Sequence, residues 1–439
     1  MIRERFFAKA VSLHLLTMAL ALVARPNPGE GKASLYSIAD YGASARQGFL
    51  NTLAIQSAID HCAAAGGGAV VIPPGVYTTG AIFFKSNVAL RLEEGATLKG
   101  SVNAKDYPQV KTRWEGKERE WISALVNFID VDHATVSGPG TIDGSGDVWT
   151  AQDPRRPVKN SSIPEKGAAA HPADLVTRMG HPRLIAFQNC HGVDIENVHV
   201  KNEASWGVFF LYCQDVVARN IQVRAEHNIP SSDGMDIDSC RNVLVTGCDF
   251  DVNDDDISIK SGKDEEGRRI NRPSENITIE HTRFGYGHGG VAIGSEVSGG
   301  IRNIEVRDCV VEADNWAPIR IKSQPSRGGV IENITYKDID IKDARQAVEI
   351  NLAWRMVGPA EPPAPKLTRM KNVRFINIHG RVRAAGSILG LAEAPVTGVT
   401  FENCRLTTGK ELNVSNAVGI DLSGLRIEAS TTAAHEPPP

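Results

Sequence analysis

Three aspartates, a histidine and two cations draw notice in this 439-residue chain because each opens or interrupts a short apolar run. Asp233 lies in SSDGMDID, Asp254 and Asp255 in NDDDISIKSG, His288 in GHGGVAIGSE, and Arg320 with Lys322 in PIRIKSQ. Clustered carboxyls suit hydrolysis of a glycosidic bond: one carboxylic acid protonates the leaving oxygen while another carboxylate activates water or attacks the sugar. Like-charge crowding raises the pKa of one member, which would keep an acid protonated near neutral pH. Two cations beside the cluster would suppress that effect. Their presence makes sense if the substrate brings its own carboxylate for Arg320 and Lys322 to bind.

These residues meet only if the chain stacks them. From about Gly192 onward a short phrase returns, a turn residue followed by alternating apolar positions. It starts at Gly192, Asp215, Asn242, Asn276, Asn303, Asn333, Asn372 and Gly398, at intervals of 23, 27, 34, 27, 30, 39 and 26 residues. A short repeat with variable insertions marks a solenoid. The period of two inside each phrase predicts strands, and the Leu-rich consensus and helix of a leucine-rich repeat are missing. The expected fold is therefore all-β, a right-handed single-stranded parallel β-helix. A second column of strands, including GMDIDSC, ISIKSG, VAIGSE and IRIKSQ, runs between the phrases. In-register stacking places Met235, Ile257, Val291 and Ile319 in one inward row and Ile237, Ile259, Ile293 and Ile321 in another. With strands about 4.8 Å apart, the site residues then converge on the outer face. Arg320 and Lys322, two residues apart, share that face.

The remaining segments support this frame. Residues 51–65 (NTLAIQSAIDHCAAA) place Leu53, Ile55, Ile59 and Cys62 near one helical face, and three glycines end them. Such a helix would cap the N-terminal end of the stack, whose strand edges otherwise stand unpaired. Residues 1–24 read as a signal peptide, a basic stretch and then an apolar run too short to span a membrane, with cleavage near Ala21 or Ala24. A secreted or periplasmic protein follows, with a linker at 25–34, the β-helix domain at 35–430 and a disordered tail at 431–439. Residues 153–182 and 354–371 read as loops that wall a cleft or stand in solvent.

The seven cysteines (Cys62, Cys190, Cys213, Cys240, Cys248, Cys309 and Cys404) lack zinc-site spacing and read as small buried hydrophobes between coils. A formal net charge of −4 argues against nucleic acid and anionic membrane as partners. A calcium loop beginning at Asp251 fails because Asp256 stands where Gly is needed and Gly262 where Glu is needed. No metal or cofactor is called for, and a monomer is expected.

At the acidic cluster the chain resembles the polygalacturonase family of glycoside hydrolases, family twenty-eight. That family carries an Asn-Thr-Asp, an Asp-Asp, a Gly-His-Gly and an Arg-Ile-Lys motif. Here they correspond to Ser231-Ser232-Asp233, Asp254-Asp255, Gly287-His288-Gly289 and Arg320-Ile321-Lys322. The likeness runs from about Tyr36 to the last repeats, supported by SGPGTIDGSG and GGVAIGSEVSGG, and departs at Ser231 and Ser232. It implies cleavage of α-1,4 bonds between galacturonic acid residues of pectin, with inversion. Asp254 would be the general acid, Asp233 and Asp255 the pair that deprotonates water, and His288 a residue tuning the acid. Arg320 and Lys322 would grip the galacturonate carboxylate. The GGVAIGSEVSGG context and the 153–182 loop resemble exo-acting members.

Alternatives stand beside this reading. Rhamnogalacturonan and xylogalacturonan are the other substrates, and a pectate lyase or a non-catalytic carbohydrate-binding β-helix shares the fold without this chemistry. Lys260, Asp238 and Glu296 read as part of an ordinary solvated strand face. Trp206, one coil before Asp233, is either a sugar-stacking platform or a packed aromatic.

Overall fold

The computed structural model describes residues 34–153, 180–355 and 361–429. The expected signal peptide, nearly all of the linker, most of the 153–182 loop and the tail lie outside the described residues.

Parallel strands stack into one right-handed β-helix. The recurring phrases form its first column, paired in register from Val193 through Val216, Val243, Ile277, Ile304, Ile334 and Val373 to Val399. The residue that opens each phrase has positive φ, from 56° at Asp215 to 73° at Gly192. Glycine, asparagine and aspartate tolerate this backbone best, which explains the recurring turn residue. The side chains also join coil to coil. Asn242, Asn276, Asn303, Asn333 and Asn372 each donate from Nδ2 to the residue one coil earlier at 2.9–3.2 Å.

The second column carries the site. Its strands are β1 (Ile185–Gln188), β2 (Val208–Leu211), β3 (Met235–Asp238), β4 (Asp255–Lys260), β5 (Gly289–Ile293) and β6 (Ile319–Lys322). Beyond them come the long strands β7 (Val330–Asn351) and β8 (Arg369–Leu389). Both predicted rows are present: Met235 pairs Ile257, Val291 and Ile319 in turn, and Ile237 pairs Ile259, Ile293 and Ile321. All eight side chains are buried, each worth about 1.5–3 kcal/mol relative to exposure. A slip of one residue would turn every such side chain outward, so burial locks the register that aligns the site. All seven cysteines are free and buried in this interior.

The cap, α1 (Thr52–Ala64), buries Ile55, Ala58, Ile59 and Cys62. Leu53 departs from expectation: it is 83% exposed, on the solvent side of the helix. One element was not anticipated. Gln109–Trp114 and Lys117–Ile122 form an antiparallel hairpin, the second sheet among the described residues. It leaves the helix after the first coils and lies along the site column, touching Gln188 on β1, Tyr212 just after β2, Asp238 on β3 and Lys263 after β4.

Candidate active site

The turns that lead into β3, β4 and β5 carry Asp233, Asp254 and His288, and Asp255 opens β4. Register then does the gathering: Asp255 lies beside Gly289, and the Gly234 N–H donates to the Asp255 carbonyl at 3.0 Å. One carboxylate oxygen from each of Asp233, Asp254 and Asp255 lies within 4.8 Å of the others. The glycines around His288 keep the approach open. A Cβ at Gly289 would stand 3.0 Å from Asp255 Oδ1, and one at Gly287 would stand 2.9 Å from Asp256 Oδ2.

Each aspartate has its own basic neighbour. His288 Nδ1 lies 3.1 Å from Asp254 Oδ1, and the His288 N–H donates to the Asp254 carbonyl at 2.8 Å. Asp255 is held from β6: Lys322 Nζ donates to Oδ2 at 2.6 Å and Arg320 Nη1 to Oδ1 at 3.2 Å. Arg320 Nε also donates to Glu349 at 2.7 Å. Asp233 faces Lys260, whose Nζ lies 3.6 Å from Asp233 Oδ2, 3.3 Å from Asp236 Oδ1 and 3.6 Å from Glu296 Oε2. All six residues named in the sequence thus fall in one patch. Arg320 and Lys322 do point outward from the coil, as expected, yet they are only 9% and 6% exposed because they pack into ion pairs.

One expectation is corrected here. Lys260, Asp238 and Glu296 are no solvated strand face; all three are buried. Asp238 pairs at 2.6 Å with Arg113 of the hairpin, and Lys260 is the hub of the carboxylates just described. Crowding was expected to raise one carboxyl and the two cations to suppress that effect, and the two act on different aspartates. Burial does push Asp254 up, but His288, by charge and hydrogen bond, and then Lys322 and Arg320 outweigh it and hold the carboxyl below its ordinary range. The raised member is Asp233, through burial first and then the charges of Asp236, Asp254 and Asp255, with Lys260 opposing.

Asp236 and Trp354 carry no motif signal and emerge only in three dimensions, beside residues whose role the fold decides. Asp236, fully buried, is pushed up to about 7 by burial against the pull of Lys260 and Arg183. Glu296 is drawn down to about 2 because Lys260, Arg327 and Lys263 overcome its burial. Trp354, half-buried, stands 5.3 Å from the Lys322 ammonium. Trp206 is a packed aromatic: it is 4% exposed, stacked 4.8 Å from Trp114 of the hairpin, with the Arg183 guanidinium 4.7 Å from its ring. Ser232, at the departure from the family motif, is buried and ties the two aspartate turns together, donating to the Ile229 carbonyl at 2.7 Å and accepting from the Asn253 N–H at 3.2 Å. Among the described residues the three aspartates are the one cluster close enough to share a metal, but Asp255 already holds two cations.

A model of the glycosyl hydrolases family 28 matches residues 62–424. The chain is 29% identical over 349 residues to an exo-poly-alpha-D-galacturonosidase of Dickeya chrysanthemi, a match that spans 72% of this chain and 57% of that protein. It is 25% identical to an endo-polygalacturonase of Pectobacterium carotovorum subsp. carotovorum, covering 83% of this chain and 86% of that one. Among solved structures, the hyperthermoactive exopolygalacturonase of Thermotoga maritima superposes with a TM-score of 0.74 at 27% identity, over 88% of this chain and 92% of the other.

Proposed function

The chain belongs to glycosyl hydrolases family 28, and from that membership we propose that it hydrolyses α-1,4 bonds between galacturonic acid residues of pectin, acting from a chain end. The observation that carries this reading is the column of Asp233, Asp254, Asp255, His288, Arg320 and Lys322, in which three carboxylates share one patch and each has its own basic partner.

In this reading Asp254 protonates the leaving oxygen, and Asp233 and Asp255 orient and deprotonate water. Asp254 rests ionised in the free enzyme, held down by His288, Lys322 and Arg320. A galacturonate carboxylate arriving at Lys322 and Arg320 offsets their charge and raises the affinity of Asp254 for a proton. The substrate thereby helps to arm the acid, which ties turnover to a uronic acid and disfavours neutral sugars. Trp354 beside Lys322 offers an apolar ring face to the sugar that follows.

Action from a chain end is favoured by the hairpin. It roofs Trp206, one coil before Asp233, so the cleft is covered close to the aspartates on its N-terminal side. On the other side lie Arg320, Lys322 and Trp354. Secretion or a periplasmic location fits a polymeric substrate, and among the described residues no helix is long and apolar enough to cross a membrane.

One oxygen of each of the three aspartates lies within 4.8 Å of the other two, so a single water can touch two carboxylates. Inversion is the reading adopted, with water held between Asp233 and Asp255. Proton NMR of the first-formed product on defined galacturonate oligomers decides it. The same digests test the activity: saturated monomer accumulating from the start supports end-wise hydrolysis, mixed oligomers mean internal cleavage, and an ultraviolet-absorbing unsaturated product means a lyase.

A further inference from the structure

Lys260 is the one buried ammonium on the Asp233 side of the cleft whose role in the reaction is still unassigned. It ends β4, the strand that Asp255 begins, and its side chain is 7% exposed. Its ammonium stands 5.1 Å from the Trp206 ring and faces three carboxylates from neighbouring coils, Asp233 and Asp236 around β3 and Glu296 after β5. We infer that Lys260 is a positioning residue for Asp233, holding that carboxylate in its place and charge beside two like-charged neighbours. This rests on the reading of Asp233 as a base for water.

The geometry separates Lys260 from a plain structural ion pair. Asp254 is served by His288 and Asp255 by Lys322 and Arg320, each through a hydrogen bond. Asp233 has no such bond to a cation among the described residues. Its nearest ammonium is Lys260, which stands nearer to Asp236 than to Asp233. The charged groups facing Lys260 come from every element packed on it. Asp233 and Asp236 come from the coil below and Glu296 from the coil above, while Asp255 acts along its own strand. Glu115 on the hairpin tip feels both Glu296 and Lys260, with Lys263 at the same turn, and Arg183 lies on the far side near Asp236. Among the described residues Lys260 is the cation that pairs with both Asp233 and Asp236. Removing the Lys260 charge leaves the repulsion on Asp233 unopposed, whereas removing the Asp236 charge relieves it.

Two variants therefore move the pH profile in opposite directions. Activity that needs Asp233 ionised rises with pH through its titration. Lys260→Met should shift the acidic limb of kcat/KM on trigalacturonate upward by about one to three pH units, lowering kcat more than it raises KM, and Lys260→Arg should restore much of the limb. Asp236→Asn should shift the limb downward. A Lys260→Met profile that superposes on wild type after scaling overturns the inference. If Lys260→Met does not fold, Asp236→Asn decides alone, and a limb that stays put or moves up overturns it. Asp233→Asn separates the two levels: if that variant stays active, Asp233 is no base and the functional reading itself fails. If it is inactive while the limbs do not move, only the role of Lys260 falls.

Discussion

Asp255 and Asp233 are buried aspartates on adjacent coils, and the two flanks of the cleft treat them differently. On the β6 side Asp255 and Glu349 meet Lys322 and Arg320, charge for charge, at 2.6–3.2 Å. On the hairpin side Asp233, Asp236 and Glu296 share Lys260 at 3.3–3.6 Å. The first pairing is one to one, whereas Lys260 is divided among three carboxylates. Proton affinity rises at the two members that lie around β3. Asp233 and Asp236 are raised, while Asp254, within reach of His288 and the β6 cations, is lowered.

The strongest way to break this comparison is at its centre. Asp254→Asn keeps the shape but cannot donate a proton, so turnover on polygalacturonate should fall by about 10²–10⁴-fold, with the circular dichroism spectrum and melting temperature unchanged. Near wild-type rates would remove Asp254 from the acid's role.

A smaller loss is expected on the balanced flank. Lys322→Ala takes away one charge-assisted contact, worth roughly 1.5–3 kcal/mol, or about one to two powers of ten in kcat/KM. Methyl-esterified oligomers, which lack the carboxylate, should be poor substrates for the wild type and nearly indifferent to the substitution. Equal losses on both substrates would mean that Lys322 serves only to hold Asp255. Raised ionic strength should weaken wild-type binding more than that of the variant.

The smallest effect on turnover, and a clear one on stability, is expected from Glu203, a carboxyl with no cation beside it among the described residues. It lies three residues before Trp206, fully buried, with neither carboxyl oxygen hydrogen-bonded, and burial pushes it up to about 8. A carboxyl raised in the folded state stays protonated there while the unfolded chain has already lost its proton. The native state binds more protons between about pH 4.5 and 8, so stability falls with rising pH across that window. Glu203→Gln should remove this slope and be the more stable protein at pH 9 by an amount on the order of a few kcal/mol. Thermal unfolding midpoints of both proteins from pH 5 to 9 give the answer. Parallel curves would mean that Glu203 is not held neutral.

Much of this molecule is local in origin. The turn residues from Gly192 to Gly398 mark where the backbone enters positive φ, and alternation after each marks a strand with one buried face. Because the side-chain period is two and one face must be buried, a single register satisfies every coil. That register alone brings Asp233, Asp254, Asp255, His288, Arg320 and Lys322 together. The family motifs, the capping helix and the buried free cysteines were legible for the same reason, since each depends on neighbours along the chain or one coil away.

The hairpin obeys no such rule. Its residues lie about a hundred positions from their partners, as in Arg113 with Tyr212 and Asp238, and no period announces that it folds back over the site column. By excluding water it makes Trp206 the packed aromatic of its two readings and turns Asp238 from an apparent surface face into interior. Lys260 and Glu296, bordered by its tip, share that fate. Exposure, and with it the charge state of each carboxyl, depends on what packs above a strand as well as on the strand itself. Strand period and turn chemistry therefore determined which residues meet, and only the tertiary structure decided which of them bind protons more tightly, because desolvation and ion pairing act through space and leave no periodic mark in the chain.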